Sequence, residues 1–119
     1  VTDLQQSIKD LSRNMLDTTM GIERDLRRRQ GLIDTKSRIV QAKADLFDKN
    51  FGEAAKELAE AVDALENATK GAKQDESILA VRALAGSLRE VRLEISMGKP
   101  VPMRKLDELQ HEVDQQLNK

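Results

Sequence analysis

The sequence predicts an all-α fold, an antiparallel up-and-down bundle of four to five amphipathic helices. Leu, Ala, Glu, Lys and Arg are abundant, and these side chains lose little conformational freedom in a helix. Apolar residues recur every three or four positions along most of the chain, which is the period of one helical face. The segments between these patterns are short, so consecutive helices are expected to pack antiparallel.

The size and charge of the chain limit its domain count and its partners. Its 119 residues suit one domain, because two separate cores would each be too small to be stable. The 20 basic and 21 acidic side chains give a net charge of -1, so we expect no nucleic-acid partner. No apolar run approaches the length of a bilayer span, so we expect no membrane insertion of this segment. The absence of cysteine excludes disulfides but leaves the compartment open.

The first predicted helix, residues 2–29, carries a stripe of apolar residues spaced alternately by four and three. This spacing places them on one helical face, as in a heptad repeat. At about 1.5 Å per residue this helix is about 40 Å long and the next about 24 Å, so part of it is expected to lack cover from its own chain. The stripe consists of Leu4, Ile8, Leu11, Met15 and Ile22, and Thr18 occupies the position between the last two.

A stop or sharp bend is predicted near residues 30–33. Three arginines, residues 27–29, precede Gly31 and Leu32, and basic residues followed by Gly are typical of a helix C-terminus. The alternative is a single helix that continues to about Lys49, because the apolar stripe resumes at Ile33 and Val40. The same arginines, with Arg24, are interpreted as a solvated helix end and not as a phosphate site.

Further helices are predicted at 34–49, 51–70, 75–97 and 102–118. Asn50 is expected to take a left-handed conformation between the first two, and residues 71–75 form the next turn. The firmest boundary is 98–102, where Gly98 ends one helix and Pro102 suits the first turn of another. In the 51–70 helix, small and large residues alternate on one face, which predicts close packing against a neighbour. That face consists of Ala54, Leu58, Ala61, Leu65, Ala68 and Ala72.

The stretch from Asp45 to Ala61 resembles the turn and second helix of a tetratricopeptide repeat. In that repeat an aromatic residue is followed by Ala after three and ten positions, as Phe51 is here. Arg38 stands where the repeat has a large aromatic residue, and no second copy follows at a thirty-four-residue period. We therefore interpret this stretch as a helical hairpin alone.

The sequence offers few residues for catalysis or for metal binding. There is no Cys or Tyr, and His111 is the only histidine, so we expect neither an enzyme nor a metal site. Glu108 and His111 have the Glu-x-x-His spacing of di-iron bundles, but the second motif is missing and His111 is expected to be exposed. Met15 and His111 are possible haem ligands, although Met15 is more simply a core residue and no cofactor is expected.

These observations favour a non-enzymatic interaction or scaffolding module. We expect its surplus apolar stripe on residues 1–33 to bind a helix from a second copy, as in a homodimer, or from another helical protein. The predicted partner-binding residues are Leu4, Ile8, Leu11, Met15 and Ile22. One alternative is an extracytoplasmic ligand-sensing domain of a receptor or stress protein, as expected of a processed chain that begins with Val1. Another is a small cofactor-binding four-helix protein.

Overall fold

The computed structural model describes the backbone of residues 2–119 and the side chains from residue 3 onward. Over this range the chain forms four helices: α1 (Thr2–Phe47), α2 (Phe51–Thr69), α3 (Glu76–Ser96) and α4 (Met103–Leu117). Helix α1 packs between α2 and α4, and α3 packs between the same two helices on the opposite side. The predicted all-α, up-and-down bundle is confirmed.

The core of the bundle is aliphatic, and every helix contributes to it. The large alternating residues of α2, including Leu58 and Leu65, are buried as predicted, and so are the periodic residues of α3 and α4. On α1 the buried face begins only at Arg28. The fully buried large side chains are Leu32, Thr35, Ile39, Leu58, Leu65, Val81, Leu88, Val91, Leu106 and Val113.

Ion pairs along α1 mark its two neighbours. Arg38 forms salt bridges with Glu57 and Glu60 of α2, and the hydrogen bond that Arg38 donates to the Glu57 carboxylate raises the pKa of Arg38. On the other flank, Lys36 lies 2.7 Å from the Asp114 carboxylate of α4. Exposed pairs of this kind contribute little stability, about 0–1 kcal/mol each. The two sets of ion pairs nevertheless show that α2 and α4 lie on opposite flanks of α1.

The predicted stop near residues 30–33 is wrong, because α1 continues through Gly31 without a break. A Cβ atom at Gly31 would lie 2.5 Å from Ala68 Cβ and 3.2 Å from the Ala64 carbonyl oxygen. Glycine therefore serves here to bring α1 and α2 into close contact, not to end a helix. Leu32, the residue after Gly31, is fully buried in the core, whereas Leu26 is exposed.

The turn between α1 and α2 uses an unexpected residue in the left-handed conformation. Lys49, not Asn50, has a positive φ of 62°. The Asn50 amide donates to the Asp45 carbonyl and the Lys49 amide donates to the Leu46 carbonyl, which is a Schellman motif. The same motif ends α3, where the left-handed residue is Gly98 with φ 75°.

The predicted boundaries around α3 are confirmed. The Asp75 carboxylate accepts a hydrogen bond from the Ile78 amide at 2.9 Å and so caps the start of α3. Helix α3 ends at Ser96, and α4 begins at Met103, directly after Pro102. Capping and turn residues thus fix the ends of the shorter helices. Helix α1 is more than twice as long as any of them.

Candidate functional site

Helix α1 protrudes from the bundle as a single extended helix. Residues 3–27, which we call the overhang, are all exposed, whereas Arg28 is buried. At about 1.5 Å per residue the overhang is about 38 Å long. The molecule measures 72 × 22 × 20 Å, and its longest dimension corresponds to the length of α1. The surplus helix expected from the sequence is therefore present.

The overhang carries the five residues predicted to bind a partner, and all of them face solvent. Leu11 is 61% exposed and Met15 is 62% exposed, so Met15 is not the core residue that its heptad position suggested. Successive residues rotate by about 100° around a helix, which places the five in one sector about 60° wide. We call this sector of α1 the outer stripe. On the overhang it comprises Leu4, Ile8, Leu11, Met15, Ile22 and Leu26.

The outer stripe continues along the bundle. Ile33, Val40 and Phe47 fall in the same sector and are exposed as well. From Leu4 to Phe47 the stripe passes through twelve turns in 43 residues, about 3.6 residues per turn. A period of 3.6 keeps the stripe straight on a straight helix, whereas a strict heptad would wind around it.

Helix α1 thus has two different apolar faces. Its buried face, which includes Leu32, Ile39 and Ala42, points into the bundle. At about 100° per residue, the centre of the outer stripe lies about 140° around the helix from the centre of the buried face. The buried face of α1, and not the stripe, is therefore the face that the other helices of the bundle cover.

Two further apolar residues of the overhang lie outside the stripe. Leu16 is 64% exposed and Met20 is 48% exposed, and both lie on the side of α1 away from the stripe. Their positions fall outside the alternating spacing of four and three that predicts the stripe. Because they match Leu11 and Met15 in residue type and position on the overhang, they provide an internal control for experiments on the stripe.

The two threonine hydroxyls beside Met15 are hydrogen-bonded within α1. Thr18 Oγ1 donates to the Asn14 carbonyl, and Thr19 Oγ1 donates to the Met15 carbonyl, each at 2.9 Å. A polar group that is covered without a hydrogen-bond partner costs about 1–3 kcal/mol. Since these hydroxyls are already satisfied within α1, a second helix can cover the threonines without that cost.

The base of the overhang is fixed to α4 by two arginines. Arg28 donates to the Gln116 carbonyl oxygen at 3.3 Å, and Arg29 donates to the Leu117 carbonyl oxygen at 2.9 Å. These carbonyls belong to the last turn of α4, where a positive charge complements the helix dipole. The predicted solvated helix end is thus wrong for these two residues. They stabilise the C-terminus of α4, not that of their own helix.

A basic cleft of about 490 Å³ lies beside the base of the overhang. Arg24, Arg27 and Lys73 are among the residues that line it. Two carboxylates of the lining are already engaged, because Asp25 pairs with Arg28 and Asp75 caps α3. The cleft lies towards the buried side of α1, so it is separate from the outer stripe.

The pair considered as haem ligands is not brought together. His111 is exposed on α4, as predicted, and Met15 lies on the overhang. The antiparallel contact of Arg28 with Gln116 places Met15 about 27 Å from His111 along the bundle axis, at about 1.5 Å per residue. Among the residues described, no three His, Asp or Glu side chains form a group suited to a metal ion.

None of the four helices in residues 2–119 has an apolar stretch of bilayer-spanning length. Comparisons with protein-family models, curated proteins and solved structures find no significant match to this chain.

Proposed function

We propose that this chain is a self-associating helical module, in which the outer stripe of the overhang packs against the same stripe of a second copy. The proposal depends on one observation. Eleven of the fifteen large apolar side chains that are exposed in the described residues belong to α1, and nine of these eleven form the outer stripe. A contiguous exposed apolar patch of this kind is typical of a protein interaction site.

The amount of apolar surface supports a helix pair. Full burial of one aliphatic side chain contributes about 1.5–3 kcal/mol, which corresponds to about 60–120 Å² at about 25 cal/mol per Å². Six stripe residues from each copy would remove on the order of 1,000 Å² from water, which is about the area that a specific interface needs. A second copy also offers a stripe of identical length and straightness, so the overhang part of each stripe would be covered by the other.

The test compares two double variants by sedimentation velocity over a range of chain concentrations. We expect the unmodified chain to form a dimer and the stripe variant, Leu11→Lys with Met15→Lys, to be monomeric. A dimer of that variant lacks four buried apolar side chains, which weakens association by about 6 kcal/mol, or more than about ten-thousandfold.

The matched control is Leu16→Lys with Met20→Lys, which makes the same substitutions outside the stripe. We expect it to remain a dimer. Both variants change exposed positions outside the bundle, so they should share the thermal midpoint of the unmodified chain at a concentration where all three are monomeric. A chain that is monomeric throughout, or two variants that dimerise equally well, would contradict self-association and leave a different helical protein as the occupant of the stripe.

A further inference from the structure

We infer that the two copies pair antiparallel, with the two-fold axis passing beside Met15. This inference rests on the proposed function and adds the geometry of the dimer. Stripe positions lie four, seven and eleven residues from Met15 in both directions. Towards the N-terminus they are Leu11, Ile8 and Leu4, and towards the C-terminus they are Ile22 and Leu26, with Thr19 at the edge of the stripe in the four-residue position.

A pattern that reads the same in both directions is what a two-fold antiparallel helix pair requires. In such an interface residue i of one copy contacts residue j of the other, and j contacts i. With Met15 on the axis, Leu4 meets Leu26 of the second copy and Ile8 meets its Ile22. Thr19 meets Leu11, and its hydroxyl is already bonded to the Met15 carbonyl. Methionine suits the axis, because its flexible side chain adapts to an identical neighbour.

The overhangs of the two copies lie alongside each other in this register. Arg28, the first buried side chain among those described on α1, comes level with residue 2 of the second copy. The exposed residues 3–27 of one copy therefore face those of the other. A slide of one heptad sets Leu4 opposite Thr19 and Leu11 opposite Ser12 in one direction, and Ile8 opposite Arg29 in the other.

Charge disfavours the parallel arrangement. In a parallel pair in register each stripe residue faces the same residue of the second copy, and opposite flanks of the two stripes adjoin. Glu23 and Asp25 flank the stripe on opposite sides, and a parallel pair brings them to nearly the same level on adjoining flanks. Like charges at such positions destabilise a helix pair. The antiparallel register instead places them level with the uncharged Ser7 and Gln5.

The cysteine-free sequence allows a direct test by disulfide formation. Full-length Ile8→Cys and Ile22→Cys chains are oxidised separately and as a mixture. In the antiparallel register position 8 of one copy adjoins position 22 of the other, so two thiols are neighbours only in a dimer of the two different variants. In a dimer of one variant with itself, the two thiols lie about 21 Å apart along the axis at about 1.5 Å per residue. That distance exceeds the roughly 7 Å between Cα atoms that a disulfide allows.

We therefore expect a cross-linked dimer from the mixture and almost none from either variant alone. Arg13→Cys mixed with Asp17→Cys serves as the control, because these positions are level across the dimer but lie away from the stripe, and we expect no cross-link from them. Cross-linking of each variant with itself would indicate a parallel pair and overturn the inference while self-association stands. A sedimenting dimer that yields no mixed cross-link would also overturn it. A chain that neither sediments as a dimer nor cross-links would instead contradict the proposed function.

Discussion

Replacing Gly31 with Ala should destabilise the bundle, although Gly31 lies in the middle of a helix. An Ala in a helix interior is normally more stable than Gly by about 1 kcal/mol. At this position the added methyl group would approach Ala68 Cβ to 2.5 Å, far inside normal contact, and the Ala64 carbonyl oxygen to 3.2 Å. Neither neighbour is a flexible side chain, so α1 and α2 must move apart.

Overpacking a close contact of this kind costs about 1–3 kcal/mol and sometimes more. The gain in helix propensity offsets only part of that cost, so we expect a net loss of about 1–2 kcal/mol in the free energy of unfolding for Gly31→Ala. For a chain of this size that lowers the thermal midpoint by about 4–8 °C.

Urea and thermal unfolding, followed by circular dichroism at one fixed chain concentration, measure the effect. Gly86→Ala in α3 and Gly21→Ala in the overhang are matched controls, because an added Cβ at either helical position meets nothing within 4 Å. We expect Gly86→Ala to raise the free energy of unfolding by about 0.5–1 kcal/mol. Gly21→Ala should increase the helicity of the overhang.

A double-mutant cycle with Ala68→Gly isolates the contact. Removing the Ala68 methyl group relieves the 2.5 Å approach. The free energy of unfolding of the double variant should therefore exceed, by about 1 kcal/mol or more, the value obtained by adding the two single changes. The reasoning is refuted if Gly31→Ala stabilises the chain as Gly86→Ala does, or if the cycle has no coupling energy.

Three further predictions concern the turns and the contact between α1 and α4. Lys49→Gly should raise the free energy of unfolding by about 0.5–1 kcal/mol, because glycine adopts a positive φ without strain. Gly98→Ala, at the equivalent turn, should lower the free energy of unfolding by about 1 kcal/mol. Equal effects of the two substitutions in chemical denaturation would contradict this. Arg28→Met should reduce hydrogen-exchange protection in the last turn of α4 and cost about 1–2 kcal/mol, whereas Arg27→Met should change neither. Gln116→Leu should stabilise the chain by about 1 kcal/mol, since Gln116 Oε1 is buried without a hydrogen-bond partner; a lower thermal midpoint would argue against this.

The sequence was sufficient for the features that depend on local chemistry. Gly98 and Pro102 predict the boundary between α3 and α4 because their backbone preferences act within one turn. The periodic residues of α2, such as Leu58 and Leu65, predict the buried face because burial follows the helical period. The outer stripe was also visible, since Leu11 and Met15 keep the same period.

Features that depend on a distant segment could not be predicted in this way. The residues around Gly31 have the local signature of a helix end, and only the position of Ala68 on α2 explains the glycine. Arg28 and Arg29 are basic residues near a helix C-terminus, as predicted, but that terminus lies 88 residues away on α4. The spacing of apolar residues could not show whether Met15 is buried or exposed. An apolar stripe has the same helical period whether it packs into the core of its own chain or faces solvent.

The continuity of α1 through Gly31 makes the overhang a lever arm attached to the bundle. Because no hinge separates the two parts, a tilt of α1 within its packing against α2 and α4 is transmitted to the tip of the overhang. At about 38 Å from the bundle, a rotation of only about 5° displaces that tip by about 3 Å. Small rearrangements among the packed helices would therefore appear, amplified, as movements of the tip of the overhang.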